Sequence, residues 1–521
     1  MTQTAFTRTE MLPPIAPPIS ERGVVKWLRE NLFSSIPNII LTLAALFAVY
    51  WLVSLSLPWF LNGVWHAETV QQCRQIIAET AGPDASGACW AVIRVRWNQF
   101  LFGLYPVEEY WRPTLAFALM FVAIAPVLYS GLRKPCTIIV GIAAVLLSLA
   151  LYGLGTDGWH GFVAVLCLAA LTAVAWIAPK KLVWVTLVFP LLAFFLLWGG
   201  SVWGPVSVAI AFGILGLAFV KLASARGLLV ASLAVALLFL CCFVNPIRLG
   251  ESFLSNLVYL ASFGTYDYVL HFDLRIGGYD LTELFPLHSA LSGYLDAKLP
   301  IGLLYVRSDD FGGFLLAFVI GITAITASLP IGILLALGRQ SDMPLVKSIS
   351  VGFIEFFRGV PLITVLFSAN FMLLYFLPPQ TNFDLIVRVI IVVVIFASAY
   401  IAEVIRGGLA ALPRGQYEAA DALGLDYWQA QRLIIMPQAL KISIPGIVSS
   451  FIGLFKDTTL VALVGLADPL TGVRKFVLAD SAWKGIYWEP FIFVGAIFFV
   501  VCFSMSRYSM YLEQKLKTDH V

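Results

Sequence analysis

The stretch Gln416-Tyr-Glu-Ala-Ala-Asp-Ala-Leu-Gly424-Leu-Asp-Tyr-Trp-Gln-Ala-Gln-Arg-Leu-Ile434-Ile-Met-Pro437-Gln-Ala-Leu440 decides how this chain is read. It is too polar to lie in lipid, yet long apolar runs flank it on both sides. Glu418 to Leu423 favours helix, with no β-branched residue. Gly424 stands where a helix end calls for a left-handed cap. Asp426 and Gln429 form a D-x-x-Q start, a variant of the capping box. A second helix is expected from about Tyr427 to Met436, ended by Pro437. The stretch thus predicts two short helices joined by a tight bend. Ala420 and Gly424 lie four apart, on one face. With Ala419 and Ala422 they are expected to form a flank nearly free of side-chain bulk. Such a flank lets another protein approach the backbone closely and transmit a push through rigid packing.

The surroundings fix the solvent. Of 521 residues, 60% are hydrophobic and 12% charged, and the mean hydropathy is +0.90. Soluble domains carry about 25% charged residues. Half that share leaves too little polar surface to coat a particle in water, so the solvent is a bilayer. Apolar runs near 37–57, 114–130, 137–154, 161–178, 182–199, 205–221, 227–244, 313–337, 362–377, 385–402, 444–466 and 490–506 predict an all-α polytopic protein with about 12 transmembrane helices. Arg22, Lys26, Arg29, Arg133, Lys134, Lys180, Lys181, Lys221, Arg226, Arg339, Lys347, Arg406, Arg414, Arg432, Lys441, Arg507, Lys515 and Lys517 then all fall on one side. The positive-inside rule makes that side the cytoplasm, holding the loop and both termini. The net charge of +3 is small and gives no sign of nucleic acid.

Residues Met1 to Ser20 are polar and Pro-rich and read as a disordered tail, with no cleavable signal peptide. The run beginning near Ile36 stays as an anchor. Two long segments, 58–113 and 245–312, are expected outside. Cys73 and Cys89 lie in the first; an oxidising compartment permits a disulfide between them, the alternative being two unpaired thiols in a packed loop. Trp65, Trp90, Trp97 and Trp111 suggest that this loop is folded and dips into the interface. Cys136, Cys167, Cys241, Cys242 and Cys502 lack metal spacing and read as small core residues.

Glu418-Ala419-Ala420, three residues, Gly424, nine residues, Ile434, two residues, Pro437 resembles the EAA loop of type I ATP-binding-cassette (ABC) importer permeases. Phe356-Phe-Arg-Gly359-Val-Pro-Leu362, Ala402-Glu403-Val-Ile-Arg406-Gly407-Gly408 and Phe451-Ile-Gly-Leu-Phe-Lys456-Asp457-Thr458-Thr-Leu460 look like the polar-amino-acid, HisM/HisQ-like branch. Gly87-Ala-Cys89-Trp90 and Tyr105-Pro106 look like the general L-amino-acid permeases of the AapM/BztC kind. The resemblance implies a MetI-like permease core of about five helices over 311–510, with the loop at 413–443. Around it would stand a cytoplasmic tail (1–35), an N-terminal membrane region (36–244), a periplasmic segment (245–310) and a cytoplasmic tail (511–521). It also implies ATPase coupling by Glu418, Ala419, Ala420 and Gly424, supported by Ile434 and Pro437. The implied partners are an ATP-binding subunit, a second and paralogous permease, a periplasmic amino-acid-binding protein and membrane lipid. The place would be a bacterial inner membrane, and the cargo polar L-amino acids, either general or of the glutamate/glutamine/aspartate class.

No cofactor is expected on this chain. The dipeptide Gly-Lys is absent, so no G-x-x-x-x-G-K-[ST] loop is encoded, and ATP and Mg belong on the partner. His66, His160, His271, His288 and His520 are scattered and read as structural. Lys456 and Asp457 sit inside an apolar run, neighbours about 100° apart on a helix. With Thr458 and Arg358 they are candidates for the substrate pathway; a structural ion pair, or a snorkelling Arg358, is the plainer reading. Glu355 with Arg358, and Glu403 with Arg406, are spaced for local pairs. The rival function is an ion-coupled secondary amino-acid transporter, which calls for inverted repeats and mid-depth carboxylates.

Overall fold

The structure is a computed structural model that describes residues 23–129, 132–154, 158–226, 228–243, 254, 275–276, 279–280, 287–376 and 384–517. The expected disordered tail, most of the second outer segment and the turn at 377–383 lie outside the described residues. The chain divides into two compact units: residues up to Val95 with Ser481–Glu489, and Arg96–Asp480 with Pro490–Val521.

The first unit holds α1 (Gly23–Asn31), α2 (Ile36–Leu61), α3 (Val70–Ala81) and α4 (Ala91–Val95). Ser35 starts α2 by accepting the Asn38 amide, and no residue along α2 is buried. At 1.5 Å per residue its 26 residues span about 39 Å, enough to cross the hydrocarbon layer. A disulfide joins Cys73 of α3 to Cys89, with Cα atoms 6.1 Å apart. Beside it the buried Trp90 meets Trp59, Phe60 and Trp65 at ring distances of 5.6, 5.5 and 5.8 Å. The Glu489 carboxylate accepts the Cys89 amide at 2.9 Å.

The second unit contains α5 (Trp97–Phe102), α6 (Trp111–Leu128), α7 (Arg133–Leu154), α8 (Gly158–Ile177), α9 (Val183–Trp198), α10 (Trp203–Arg226), α11 (Leu228–Phe243) and α12 (Leu287–Lys298). Then come α13 (Gly313–Gln340), α14 (Pro344–Gly359), α15 (Leu362–Phe376), α16 (Leu385–Ala410), α17 (Gly415–Ala422), α18 (Tyr427–Ala430) and α19 (Met436–Asp457). The last helix, α20 (Trp488–Lys517), begins in the first unit and runs on in the second.

Every expected apolar run is helical, but not every one is a full-length rod. Among the described residues eight helices are long and apolar enough to cross a membrane, or nine if the bent pair α14–α15 is one span. The expected runs at 161–178 and 205–221 fall in α8 and α10, helices of 20 and 24 residues. That at 227–244 holds α11, bounded on both sides by residues outside the described ones. The run at 362–377 is not an isolated rod. It is the second arm of a pair bent by 106°, because Pro361 forces Val360 into extended backbone (φ −102°, ψ 134°) and no helix continues through that residue. Of the cysteines read as core, Cys136 and Cys242 are buried, but Cys167 is exposed on α8.

Polar side chains clamp one end of the second unit. Trp198, closing α9, donates its indole N–H to Ser308 Oγ at 2.8 Å. Ser308 donates to Asp384, the cap of α16, which accepts the Ile386 amide at 2.9 Å. The buried Arg112 pairs with Glu109 at 2.7 Å and donates to the Leu304 carbonyl at 2.6 Å. Tyr105 donates to the Leu197 carbonyl at 2.8 Å, and burial pushes its hydroxyl well above the usual phenol range. One core, including Leu197, Phe311, Leu316, Val393 and Leu454, runs through α9, α13, α16 and α19. Helices α6 and α9 are thus packed onto the C-terminal part rather than tethered to it.

The Cys73–Cys89 link closes a loop of 16 residues, which by chain entropy constrains the unfolded state by about 3 kcal/mol. Replacing both cysteines with alanine should lower the protease resistance of the segment from Glu68 to Val95. Thiol titration of the unfolded, unreduced chain should find two fewer reactive sulfurs than after reduction.

Candidate functional site

The polar loop after α16 forms two helices at a bend. Helix α17 ends in the full set of bonds of a left-handed cap: the Leu425 amide donates to the Ala420 carbonyl at 3.2 Å and the Gly424 amide to that of Asp421 at 2.9 Å. Gly424 has φ +70°, and a Cβ there would meet nothing within 4 Å. The glycine is therefore required by backbone conformation and not by crowding. Asp426 opens α18 through a reciprocal capping box, its carboxylate accepting the Gln429 backbone amide at 2.8 Å while Gln429 Oε1 accepts the Asp426 backbone amide at 3.2 Å.

Two expectations about this loop are corrected. The second helix does not end at Pro437. It passes through a widened π-turn at Gln431–Ile435 and continues as α19, so that Tyr427–Val464 is one span. Proline cannot donate to the carbonyl four residues back and its ring crowds that carbonyl; the wider turn relieves both problems. Ala420, moreover, does not belong to the open flank. It is fully buried, facing Tyr417, Gln431 and Ile435 across a cavity. Glu418, Ala419, Ala422 and Gly424 do lie exposed, as does Pro437, while Ile434 is half-buried against a core of Ile435, Ala439 and Ile405. Gln438 ties the loop to α19, donating to Gln416 at 2.9 Å and to the Ile434 carbonyl at 3.0 Å.

Larger apolar groups that the loop pattern did not single out stand beside these small residues. Leu423 is 72%, Tyr427 53%, Trp428 60% and Leu433 65% exposed. The rings of Tyr427 and Trp428 meet edge to face at 5.4 Å. The signal was present in the sequence as Leu-Gly-Leu-Asp-Tyr-Trp, but only the bend puts these side chains on the surface. Behind them lies a cavity of about 340 Å³ lined by Gln340, Tyr417, Asp421, Tyr427, Ala430 and Gln431 among others. Burial pushes the Tyr417 hydroxyl above its usual range.

The helices feeding the loop are joined by charges. Glu403 accepts from Arg406 at 2.9 and 2.7 Å, the local pair that the spacing predicted. It also holds Arg339 at 3.2 Å and Arg358 at 3.8 Å. The expected Glu355–Arg358 pair is replaced: Glu355 binds Arg339 at 2.8 Å, and Arg358 lies 6.0 Å over the Tyr400 ring. The geometry follows from α13 running alongside α14 and α16, which no local spacing reveals. Of the pathway candidates, Lys456 is exposed, Asp457 half-buried and Thr458 buried. Thr458 donates back to the Phe455 carbonyl at 2.7 Å. Helix α19 tightens there into a 3₁₀ stretch, Thr458–Val464, ending at Gly465 with φ +97°. Arg388, which sequence reasoning passed over, is buried on α16 and donates to Asn370 of α15 at 2.9 and 3.0 Å.

Residues 328–518 match the family of binding-protein-dependent transport system inner membrane components. Over 520 residues, the whole of both chains, the sequence is 56% identical to the glutamate/glutamine/aspartate/asparagine transport system permease protein BztC of Rhodobacter capsulatus. It is 32% identical to the inner membrane amino-acid ABC transporter permease protein YhdY of Escherichia coli, over 96% of this chain and 94% of that protein. A solved structure of an amino acid ABC transporter with histidines aligns at 30% identity over 39% of this chain and 91% of that one, with a TM-score of 0.35.

The bend makes a backbone prediction. Gly424→Val should cost the loop about 1–2 kcal/mol, because a β-branched residue resists the left-handed region, and should raise amide exchange at Gly424 and Leu425. Gly424→Asn, which tolerates that region, should leave the exchange close to wild type.

Proposed function

The chain belongs to the family of amino-acid ABC-transporter permeases, and on that premise we propose that the loop from Gly415 to Ile435 is the surface through which a separate ATP-binding subunit drives it. One observation carries this reading. Leu423, Tyr427, Trp428 and Leu433 are exposed beside Ala419, Ala422 and Gly424, on a segment too polar to be covered by lipid. Contiguous apolar surface standing in water marks a protein contact. The small residues let the partner come close to the backbone, and Glu418 and Asp421 give the rim its charge. Because α18 runs on through the π-turn into α19, a displacement of the loop is passed on to a membrane span.

The remaining parts of the assembly follow from that coupling. ATP and Mg reside on the ATP-binding subunit, and the loop and both termini face the cytoplasm of a bacterial inner membrane. A second, paralogous permease completes the path, and a periplasmic binding protein delivers the amino acid. ATP-bound partners that grip the loop more tightly in one state bias the equilibrium between inward-open and outward-open forms. The cargo is glutamate, glutamine, aspartate and asparagine, the substrates named for the R. capsulatus relative. Such a substrate needs a cation for its carboxylate and acceptors for its ammonium. Lys456 and Asp457 offer both where α19 tightens at Thr458, and Arg358 is a further cation on the path. A helix interruption of this kind frees backbone carbonyls for a ligand.

In proteoliposomes reconstituted with the binding protein, Ala422→Trp should reduce ATP-driven uptake by roughly tenfold or more and release the ATP-binding subunit, as expected for bulk placed in a packed interface. Wild-type uptake with the subunit still bound would count against coupling at this loop. ATP-independent uptake that a protonophore abolishes would favour the ion-coupled transporter instead. Lys456→Met and Asp457→Asn should each slow uptake of glutamate by about tenfold, the value of one charge-assisted contact, without altering binding of the ATP-binding subunit. Slowed uptake accompanied by loss of that subunit would remove these residues from the pathway.

A further inference from the structure

Four cations gather where the N-terminal helices of the second unit turn. Arg133 and Lys134 open α7, and Lys180 and Lys181 stand in the short turn Pro179–Leu182 between α8 and α9. The two pairs are remote in sequence and close in space. Arg133 donates its Nε to the carbonyl of Trp176, near the end of α8, and its guanidinium lies 5.2 Å over the Trp176 ring. The lysine turn touches α6, α7, α8 and α9 and is pinned by Leu182, fully buried in the core. All four cations are exposed, and among the described residues no ion pair holds any of them. The sequence supplies little to neutralise them. Between Trp111 and Gly250 the only acidic residue is Asp157, which comes after α7, whereas Arg133 opens it. Tyr508 of α20 donates to the Leu128 carbonyl at 2.6 Å, so the last helix reaches the same end of the unit. It carries Arg507, Lys515 and Lys517 there against the single carboxylate of Glu513.

The surface beside this cluster is apolar. Ile138 and Ile142 on α7, Trp184 and Leu187 on α9, and Trp176 itself are exposed. On membrane helices such side chains meet acyl chains, and tryptophan at the border of charged and apolar surface marks the headgroup level. A water-soluble partner could reach the charges but not the apolar surface next to them. A phospholipid matches both. We propose that Arg133, Lys134, Lys180 and Lys181 bind the headgroup of an anionic phospholipid bearing two phosphates, one held by each cation pair. Arg133 spends Nε on Trp176 and keeps its terminal nitrogens, donors suited to phosphate oxygens. Helix α7 starts at Arg133, so the positive end of its dipole adds to the same field. Basic pockets between membrane helices on the cytoplasmic side recognise headgroups by this chemistry. The inference does not depend on the coupling role of the loop. It gives a role to helices that precede the family core at residues 328–518: a lipid bridging the two turns ties the ends of α6, α7, α8 and α9 together.

The test titrates cardiolipin, which bears two phosphates, against the full-length chain in neutral detergent and counts bound lipid by native mass spectrometry. Lys180→Gln with Lys181→Gln should weaken binding at least tenfold, the worth of two cations at an anionic headgroup. Lys180→Arg with Lys181→Arg should bind as wild type does. Phosphatidylglycerol, with one phosphate, should bind the wild-type chain at least tenfold more weakly than cardiolipin. Lys26→Gln with Arg29→Gln removes as many cations from α1 and should leave binding unchanged. Cardiolipin should also raise the unfolding temperature of the wild-type chain and not that of the Lys180/Lys181 glutamine variant. Should that variant unfold early without lipid, Lys134→Gln provides a second route, with a loss of roughly fivefold for one cation. Wild-type binding in the glutamine variants overturns the proposal. Equal loss in the α1 variant overturns it too, by reducing the effect to general attraction. Equal affinity for phosphatidylglycerol, or displacement of cardiolipin by inorganic phosphate, overturns the two-phosphate headgroup.

Discussion

Inside a bilayer no hydrophobic force draws helices together, because lipid tails are as apolar as leucine. Whatever holds this chain in one arrangement must be close packing and polar bonds. The structure uses both at separate levels. Gly332 on α13 lets Ile401 of α16 approach so closely that a Cβ would lie 2.6 Å from its Cγ2. Gly446 on α19 similarly admits Val404, 2.7 Å from where a Cβ would stand, and Gly408 on α16 admits the Ala439 carbonyl of α19 at 2.5 Å. These contacts depend on the absence of a side chain, and they bring α16 against α13 and α19. At one end of α16 the Asp384–Ser308–Trp198 chain ties it to α9. Near its other end Glu403 gathers arginines from α13, α14 and α16 itself. The loop that follows α16 starts from a helix fixed at three heights.

Much of this was legible in the sequence, and the reasons differ by level. Hydropathy located each membrane helix because the bilayer imposes a length that soluble cores do not. The bend of the loop was legible because Gly424, Asp426 and Gln429 act through bonds only a few residues long. The π-turn was hidden for the opposite reason. Pro437 reads as a stop, and only the packing of Ile435 and Ala439 in the core shows that the helix is carried past it. Ala420 was assigned to the wrong face since composition marks a residue as small but not which side its helix turns inward. The pairing of Arg339 was hidden because Glu355 and Glu403 lie on other helices, beyond the reach of local spacing. The buried Arg388 lies within an apolar run, where only the contact with Asn370 reveals its use.

The joint at Gln431–Ile435 also determines how force travels. A standard α-helix is stiff along its axis, with a carbonyl bonded at every step. A π-turn inserts a residue into the ladder, shifting by about 100° the angular phase of everything beyond it, and leaves a locally wider and more compliant ring. The rod from Tyr427 to Val464 therefore consists of two stiff segments in series with one spring. Motion imposed at the short segment reaches the long one with its direction rotated, and part of the work is held for a time as elastic distortion of the joint. Stiffness at this one turn, more than grip at the surface, would then set how promptly the far end of the helix follows.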